Sequence, residues 1–319
     1  MKIANKKVLV TGGAGFIGSN LVDYIQRNYK NESECPLMTV LDALTYAGDK
    51  ENLSGLDYPG KLIFVHGDVR DSSLVDELVK KNEIIFHLAA ESHVDRSIAD
   101  PSIFIDTNVR GTSNILEAAR KYHKKVILIS TDEVYGSIEN GCADENYKLN
   151  PSSPYSASKA SADLLALAYF KTFSLDVIIT RCTNNYGPKQ YPEKLIPQTI
   201  KKVMMNQKIP IYGNGSNIRD WIHVEDHCSG LFLAMKHGKP GEIYNFGDVD
   251  KVTNLEIVEN ILKLMGKSNE LIEFVTDRLG HDMRYSVNSM KAKEDLNWKP
   301  KYNLSNSLDT TIKWYESSA

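Results

Sequence analysis

The chain has only four cysteines in 319 residues, Cys35, Cys142, Cys182 and Cys228, and no two of them form a CxxC pair. That scarcity excludes a disulfide scaffold and fits no zinc ribbon. Neither sign of charge dominates: 38 Lys and Arg face 41 Asp and Glu, for a formal net charge of −3. Without a basic surplus there is no footprint for a phosphate backbone, so no nucleic-acid partner is expected. No apolar run approaches the roughly 18 residues that a membrane span requires, so no membrane partner is expected either. Met1-Lys2-Ile3-Ala4-Asn5-Lys6-Lys7 runs straight into Val8-Leu9-Val10 with no hydrophobic region of signal-peptide length. A cytoplasmic location is the expectation. The length suits one large domain or two modest ones.

What the first half does contain is alternation. Candidate strands cover residues 7–11, 38–42, 62–66, 84–89, 125–130 and 177–181, and helical spacing covers 17–29, 73–80, 103–122 and 156–172. Strands with little polar alternation, separated by helices, predict parallel strands buried on both faces. The expected class is an open α/β sheet. After Gly187 the character changes, with Pro188, Pro192, Pro197, Pro210, Gly213 and Gly215 breaking up long elements. Helical patterns return at 224–236, 254–265 and 305–315. A smaller, irregular carboxyl-terminal lobe is expected: residues 1–187 form the sheet domain with 220–247 returning to it, and 188–219 with 248–319 form the lobe.

Thr11-Gly12-Gly13-Ala14-Gly15-Phe16-Ile17-Gly18 satisfies GxGxxG through Gly13, Gly15 and Gly18, and GxxGxxG through Gly12, Gly15 and Gly18. Glycines allow a tight turn and close approach of backbone to a pyrophosphate. The next helix offers free N–H groups and its positive dipole end. The turn follows a predicted strand and opens an amphipathic helix, the context a Rossmann-type doubly wound sheet requires. Asp42 ends the second strand, where a carboxylate accepts from ribose hydroxyls and repels a 2′-phosphate. NAD is therefore the expected cofactor. Asp68 and Val69 end the third strand and would flank the adenine; Ala89 and Ala90 end the fourth and would approach the cofactor backbone.

Tyr155 and Lys159 lie four apart on one helix face, after Ser153 and Pro154 as N-cap and first-turn residues. A phenol near pKa 10 is a poor base at neutral pH. A neighbouring ammonium and a positive nicotinamide ring would favour the phenolate.

With these motifs, and with Asn108-Val109-Arg110-Gly111-Thr112, Asn184-Asn185-Tyr186-Gly187-Pro188 and Arg219-Asp220-Trp221-Ile222-His223-Val224-Glu225-Asp226, nearly the whole chain resembles the extended short-chain dehydrogenase/reductases acting on nucleotide sugars. Ser130-Thr131-Asp132-Glu133, Glu91-Ser92-His93-Val94-Asp95-Arg96-Ser97 and Asp277-Arg278-Leu279-Gly280-His281-Asp282 resemble the dTDP-glucose 4,6-dehydratases within it, with Leu279 where proline is common. The 4-epimerases of the family usually carry small or hydroxyl residues at Asp132 and Glu133. The resemblance implies dTDP-glucose as substrate and a homodimer through a four-helix bundle. It also implies a cofactor site of Gly12, Gly15, Phe16, Ile17, Gly18, Asp42, Asp68, Val69, Leu88, Ala89, Ala90, Ser92, Thr107, Tyr155 and Lys159. Ser92, His93, Thr131, Asn184, Asn185, Lys194, Leu195, Pro210, Tyr212, Arg219, Asn254, Asp277, Arg278 and His281 are implied for the substrate; the cations Lys194 and Arg219 suit a diphosphate.

The implied chemistry explains why two carboxyls stand together. Oxidation at C4 acidifies the C5 proton, which Glu133 would remove, while Asp132 would protonate the departing C6 hydroxyl; Thr131 completes the segment. A 4-epimerase, a dehydratase for another nucleotide and a catalytically silent NAD-sensing protein remain alternatives. Four further features carry less. His223 and His227 lack the HExxH pattern and a third ligand, so no metal is expected. The cluster 120–125 solvates a helix end. Gly111 interrupts a helix at roughly 1 kcal/mol against alanine, explained by close packing on the sheet. Ile115, Leu116, Leu164, Leu165 and Leu167 put apolar groups on more than one helix face, which fits either a helix-bundle interface or burial in the monomer.

Overall fold

A computed structural model describes residue 4 and residues 6–29, 34–56 and 60–318. Residues 1–3 and 5, on which part of the amino-terminal reading falls, lie outside it. The first half runs β1 (Lys7–Thr11), α1 (Phe16–Arg27), β2 (Leu37–Asp42), β3 (Leu62–His66), α2 (Ser72–Lys81), β4 (Ile84–His87), α3 (Val94–Ala99), α4 (Ser102–Phe104), α5 (Thr112–Tyr122), β5 (Lys125–Thr131), α6 (Pro154–Phe173) and β6 (Val177–Cys182). There follow β7 (Asn184–Tyr186), α7 (Leu195–Met204), β8 (Ile209–Tyr212), β9 (Ile218–His223), α8 (Val224–His237), β10 (Ile243–Phe246), β11 (Asp250–Thr253), α9 (Asn254–Leu264), β12 (Ile272–Val275), α10 (Met290–Leu296) and α11 (Leu304–Ser317).

Seven strands pair in parallel in the order β10-β6-β5-β4-β1-β2-β3. The alternation of side chains along β1 shows why its run is uniformly apolar. Val8 and Val10 join a core with Leu21, Ile25, Leu231 and Met235 of α1 and α8. Leu9 points the other way, into a core with Val75, Ile115, Leu116 and Ala162 of α2, α5 and α6. Both faces are covered, which is the doubly wound arrangement. Fully burying each such side chain stabilises by about 1.5–3 kcal/mol.

Gly12 takes φ +69°, and a Cβ there would lie 2.7 Å from the Ala89 nitrogen, so the turn after β1 admits no side chain. Gly111 ends a π-helical stretch, Ile105–Gly111, between α4 and α5. A Cβ on it would meet Val69 Cγ2 at 2.6 Å, so the close packing is against the segment after β3 rather than the sheet. Ser153 and Ser156 form a capping box at the start of α6, with Pro154 in its first turn.

The second half departs from the expected irregularity. Pro197 sits in the first turn of α7, where a missing N–H removes no hydrogen bond, so the helix forms. β10 completes the edge of the main sheet beside β6. β7, β9 and β11 make a separate three-stranded sheet, and β8 pairs with β12. The last part of the chain is not confined to the lobe. Ala292, Leu296 and Trp298 pack into the main sheet's core, and the Trp298 indole donates to the Asp226 carbonyl at 3.0 Å. Ile115 and Leu116 are fully buried within the chain, whereas Leu164 on α6 is 57% exposed.

Candidate functional site

The carboxyl ends of β1, β2, β4, β5 and β6 open on a cavity of about 470 Å³, roofed by segments of the second half. Gly12, Gly15, Phe16, Ile17, Gly18, Asp68, Val69, Leu88, Ala89, Ala90, Ser92 and Thr107 all line it. α1 begins at Gly15 with no side-chain cap and no acidic residue in its first turn, so its positive end faces the cavity undiminished. A dinucleotide pyrophosphate fits that cradle. Asp42 also lines it, but its carboxylate is engaged: it accepts from the Ala14 and Leu44 backbone N–H groups, both at 2.9 Å. Each oxygen keeps a further lone-pair site for a ribose hydroxyl. Asp68 is paired to Arg70 at 2.6 Å.

At the end of β5 the chain turns tightly through Asp132–Tyr135, capped by the Thr131 hydroxyl, which accepts from the Glu133 N–H at 3.3 Å. The Thr131 hydroxyl donates to Asp132 Oδ1 at 3.2 Å, and Asp132 Oδ2 is buried with no hydrogen-bond partner among the described residues. Burial pushes the Asp132 carboxyl well above its ordinary range, and the neighbouring Glu133 charge adds to the shift. Burial raises Glu133 as well, but Lys194 and Arg219 oppose it. Both carboxyls are therefore pushed up, Asp132 the further of the two, so Glu133 is the readier to ionise.

Tyr155 and Lys159 line the same cavity from α6. The expected relation between them is not the one found. Lys159 Nζ donates to the Ile129 carbonyl at 2.6 Å, and burial lowers its pKa. Burial, reinforced by Glu133, pushes the Tyr155 phenol well above 10. In the free chain the phenol keeps its proton; a positive charge entering the cavity is needed to bring it down.

The substrate candidates meet here with one exception. Lys194 donates to the Ser92 carbonyl at 2.9 Å. Arg219 donates to the Asp282 carbonyl at 2.9 Å and stacks 4.3 Å over the Tyr285 ring. Asn184, Leu195, Pro210, Tyr212, Asn254, Arg278 and His281 line the wall, as does His93, whose imidazole burial pushes down to about 4. Asn185 reaches the cavity, but its amide is taken up by the Thr183 carbonyl and His227. Asp277 does not line the cavity: nearly half exposed, it holds His281 Nδ1 at 2.7 Å from behind. A carboxylate there orients the imidazole.

Sequence reasoning missed Tyr46, Glu193 and Tyr285. The Tyr285 hydroxyl donates to Asp282 at 2.8 Å and reaches Glu133 Oε2 at 3.5 Å, across 152 positions of sequence. No local pattern marks such a residue. The two histidines considered for metal serve structure: His223 Nδ1 accepts from the Glu225 N–H at 3.3 Å and His227 bonds Asn185 at 2.9 Å. Among the described residues no group of His, Cys, Asp and Glu is placed to hold a metal ion, and no helix is long and apolar enough to cross a membrane.

A doubly wound sheet with this glycine turn, and a Tyr/Lys helix facing paired carboxyls, defines an enzyme of the short-chain dehydrogenase/reductase class. The family model for GDP-mannose 4,6-dehydratase matches residues 9–311, and the chain belongs to that family. It is 46% identical to a dTDP-glucose 4,6-dehydratase of Streptomyces niveus over 98% of this chain and 93% of that one. It is 48% identical to the low-salt glycan biosynthesis protein Agl12 of Haloferax volcanii, over 97% and 98%. The dTDP-glucose 4,6-dehydratase DesIV of Streptomyces venezuelae, solved with NAD and TYD bound, superposes with a TM-score of 0.95 at 45% identity, covering 98% of this chain and 97% of that one.

Proposed function

We propose that this chain is an NAD-dependent hydro-lyase that converts dTDP-glucose to dTDP-4-keto-6-deoxy-glucose, a step toward deoxysugars. The observation that carries the reading is the Asp132/Glu133 pair at the cavity floor. Burial pushes Asp132 well above the ordinary carboxyl range, while Lys194 and Arg219 oppose the rise at Glu133. A 4-epimerase needs no such acid. The full-length likeness to dehydratases supports the same choice.

NAD, held by the Gly12–Gly18 turn, Asp42 and the start of α1, would supply the hydride acceptor and donor and the positive charge that makes Tyr155 acidic. Tyr155 takes the proton from the C4 hydroxyl, with Lys159 fixing α6 against β5. Glu133 takes the C5 proton once C4 is a ketone. Asp132 gives its proton to the C6 hydroxyl, which leaves as water. Thr131 holds Asp132 Oδ1 in place. Lys194, Arg219 and Arg278 meet the diphosphate.

On this reading residues 1–187, with 220–247 and the segment around Trp298, form the dinucleotide half, and the remainder of 188–319 forms the substrate lobe. The exposed face of α6 around Leu164 supports a homodimer through a four-helix bundle of α5 and α6. A cytoplasmic location fits nucleotide-sugar chemistry. The test is incubation of the purified protein with dTDP-glucose, UDP-glucose and GDP-mannose, followed by mass spectrometry. Loss of one water from dTDP-glucose is the expected outcome; unchanged mass for all three defeats the proposal.

A further inference from the structure

Tyr46, Arg96 and Glu193 meet above the seat of the dinucleotide, and the strand order says what their contact crosses. Tyr46 follows β2, and Arg96 lies on α3, after β4. Between those two strands stands β1, which ends in the Gly12–Gly18 turn. Any contact from Tyr46 to Arg96 therefore passes over the carboxyl end of β1. The Arg96 guanidinium carbon lies 3.6 Å from the centre of the Tyr46 ring. Arg96 Nε is 3.6 Å from a Glu193 carboxylate oxygen. Tyr191 sets its ring edge-on to Tyr46, with centroids 5.8 Å apart and an interplanar angle of 81°. Tyr46, Tyr191 and Glu193 line the cavity; Arg96 braces them from outside, its side chain half exposed.

We infer that this three-segment strap is a retention device: it keeps the dinucleotide in the cavity through a complete turnover. The inference rests on the NAD-dependent dehydratase reading, whose electron balance demands it. Two electrons leave the sugar as the C4–H and O–H bonds break and a ketone forms. Water departs with the C5 proton and the C6 hydroxyl; the same two electrons return with a hydride as a new C6–H bond, while C5 regains a proton that balances the one lost from the C4 hydroxyl. The net change is loss of water, so the cofactor must not leave between the two redox steps. A reduced cofactor that escapes strands a ketosugar and leaves the chain without its oxidant. Arg96 and Tyr46 are thus positioning residues that act on cofactor lifetime. They are not catalytic residues.

A contact of this kind at a half-exposed site is worth a modest factor. Arg96→Ala and Tyr46→Ala should each release NAD roughly 3- to 10-fold faster than the parent chain. The double variant should be little faster than the quicker single one, because ring and guanidinium act as one unit. The measurement is exchange of bound NAD for isotopically labelled NAD, followed by rapid desalting and mass spectrometry. During turnover of dTDP-glucose, Arg96→Ala should lose activity progressively and regain it on addition of NAD, while the parent chain runs at a steady rate. Equal exchange rates in parent and Arg96→Ala overturn the strap and leave the proposed function standing. A parent chain that binds no NAD at all sinks the proposed function itself.

Discussion

Lys159 and Ile129 are joined across the catalytic cavity: the ammonium on α6 donates to a β5 carbonyl two residues before Thr131, at 2.6 Å. The bond fixes the helix that carries Tyr155 against the strand that delivers Asp132 and Glu133. Lys159→Met should lower kcat, because α6 loses its tie to β5 and Tyr155 its fixed place beside Asp132 and Glu133. Tyr155→Phe should slow turnover by about 10²- to 10⁴-fold while NAD still binds. Steady-state rates across pH, with cofactor content measured by absorbance, check both.

The paired carboxyls separate the steps after oxidation. Glu133→Gln keeps the shape and removes the base, so absorbance at 340 nm should build up on mixing with dTDP-glucose, with little deuterium entering C5. Asp132→Asn should permit C5 exchange and slow water loss. Each should cost about 10²- to 10⁴-fold in overall rate. Near-normal turnover by both variants would show that the pair is structural.

Asp42 holds two backbone N–H groups and borders the cofactor cradle. Titration calorimetry should find NAD bound more tightly than NADP. Asp42→Ala should weaken NAD by about tenfold or more and narrow that preference, since a charged hydrogen bond contributes about 1.5–3 kcal/mol.

His227 is buried and neutral, pushed down to about 3, against an unfolded value near 6.5. Below about pH 6.5 the unfolded chain binds a proton that the folded chain refuses. The residue's contribution to stability is therefore complete above that pH and is lost as pH falls toward 3. His227→Gln should lower Tm near pH 7, and the gap to the parent chain should shrink by about pH 4. A gap that widens on acidification would be the wrong sign.

Leu164 is exposed on α6 where the proposed bundle would form. Leu164→Arg should shift sedimentation from dimer to monomer; a parent chain that sediments as a monomer refutes the bundle.

The sequence announced those parts of the molecule whose physics is local. The Gly12–Gly18 turn, the apolar strands, the Ser153/Pro154 start of α6 and the Asp132/Glu133 segment all stand where expected, because turn chemistry and periodicity depend on near neighbours. The misses are tertiary. Pro197 reads as a breaker until its place in a first turn is known. Asp277, implied by resemblance, stands behind its histidine, and the two backbone N–H groups that Asp42 holds leave no mark in the sequence. Tyr46, Glu193 and Tyr285 reach the site only through the folding of distant segments. The Lys159–Ile129 bond is invisible for the same reason: a carbonyl partner leaves no signature in residue type.

The path of the chain past Trp298 has a consequence for how this enzyme can be dissected. Having built the three-stranded sheet and the β8–β12 pair, the polypeptide comes back to plug the main sheet's core with Ala292, Leu296 and Trp298 before leaving again as α11. The two halves are stitched rather than strung together. The main sheet could not be expressed alone with its interior closed, and a stop codon ahead of position 290 would uncork it although every residue lining its glycine turn was still present.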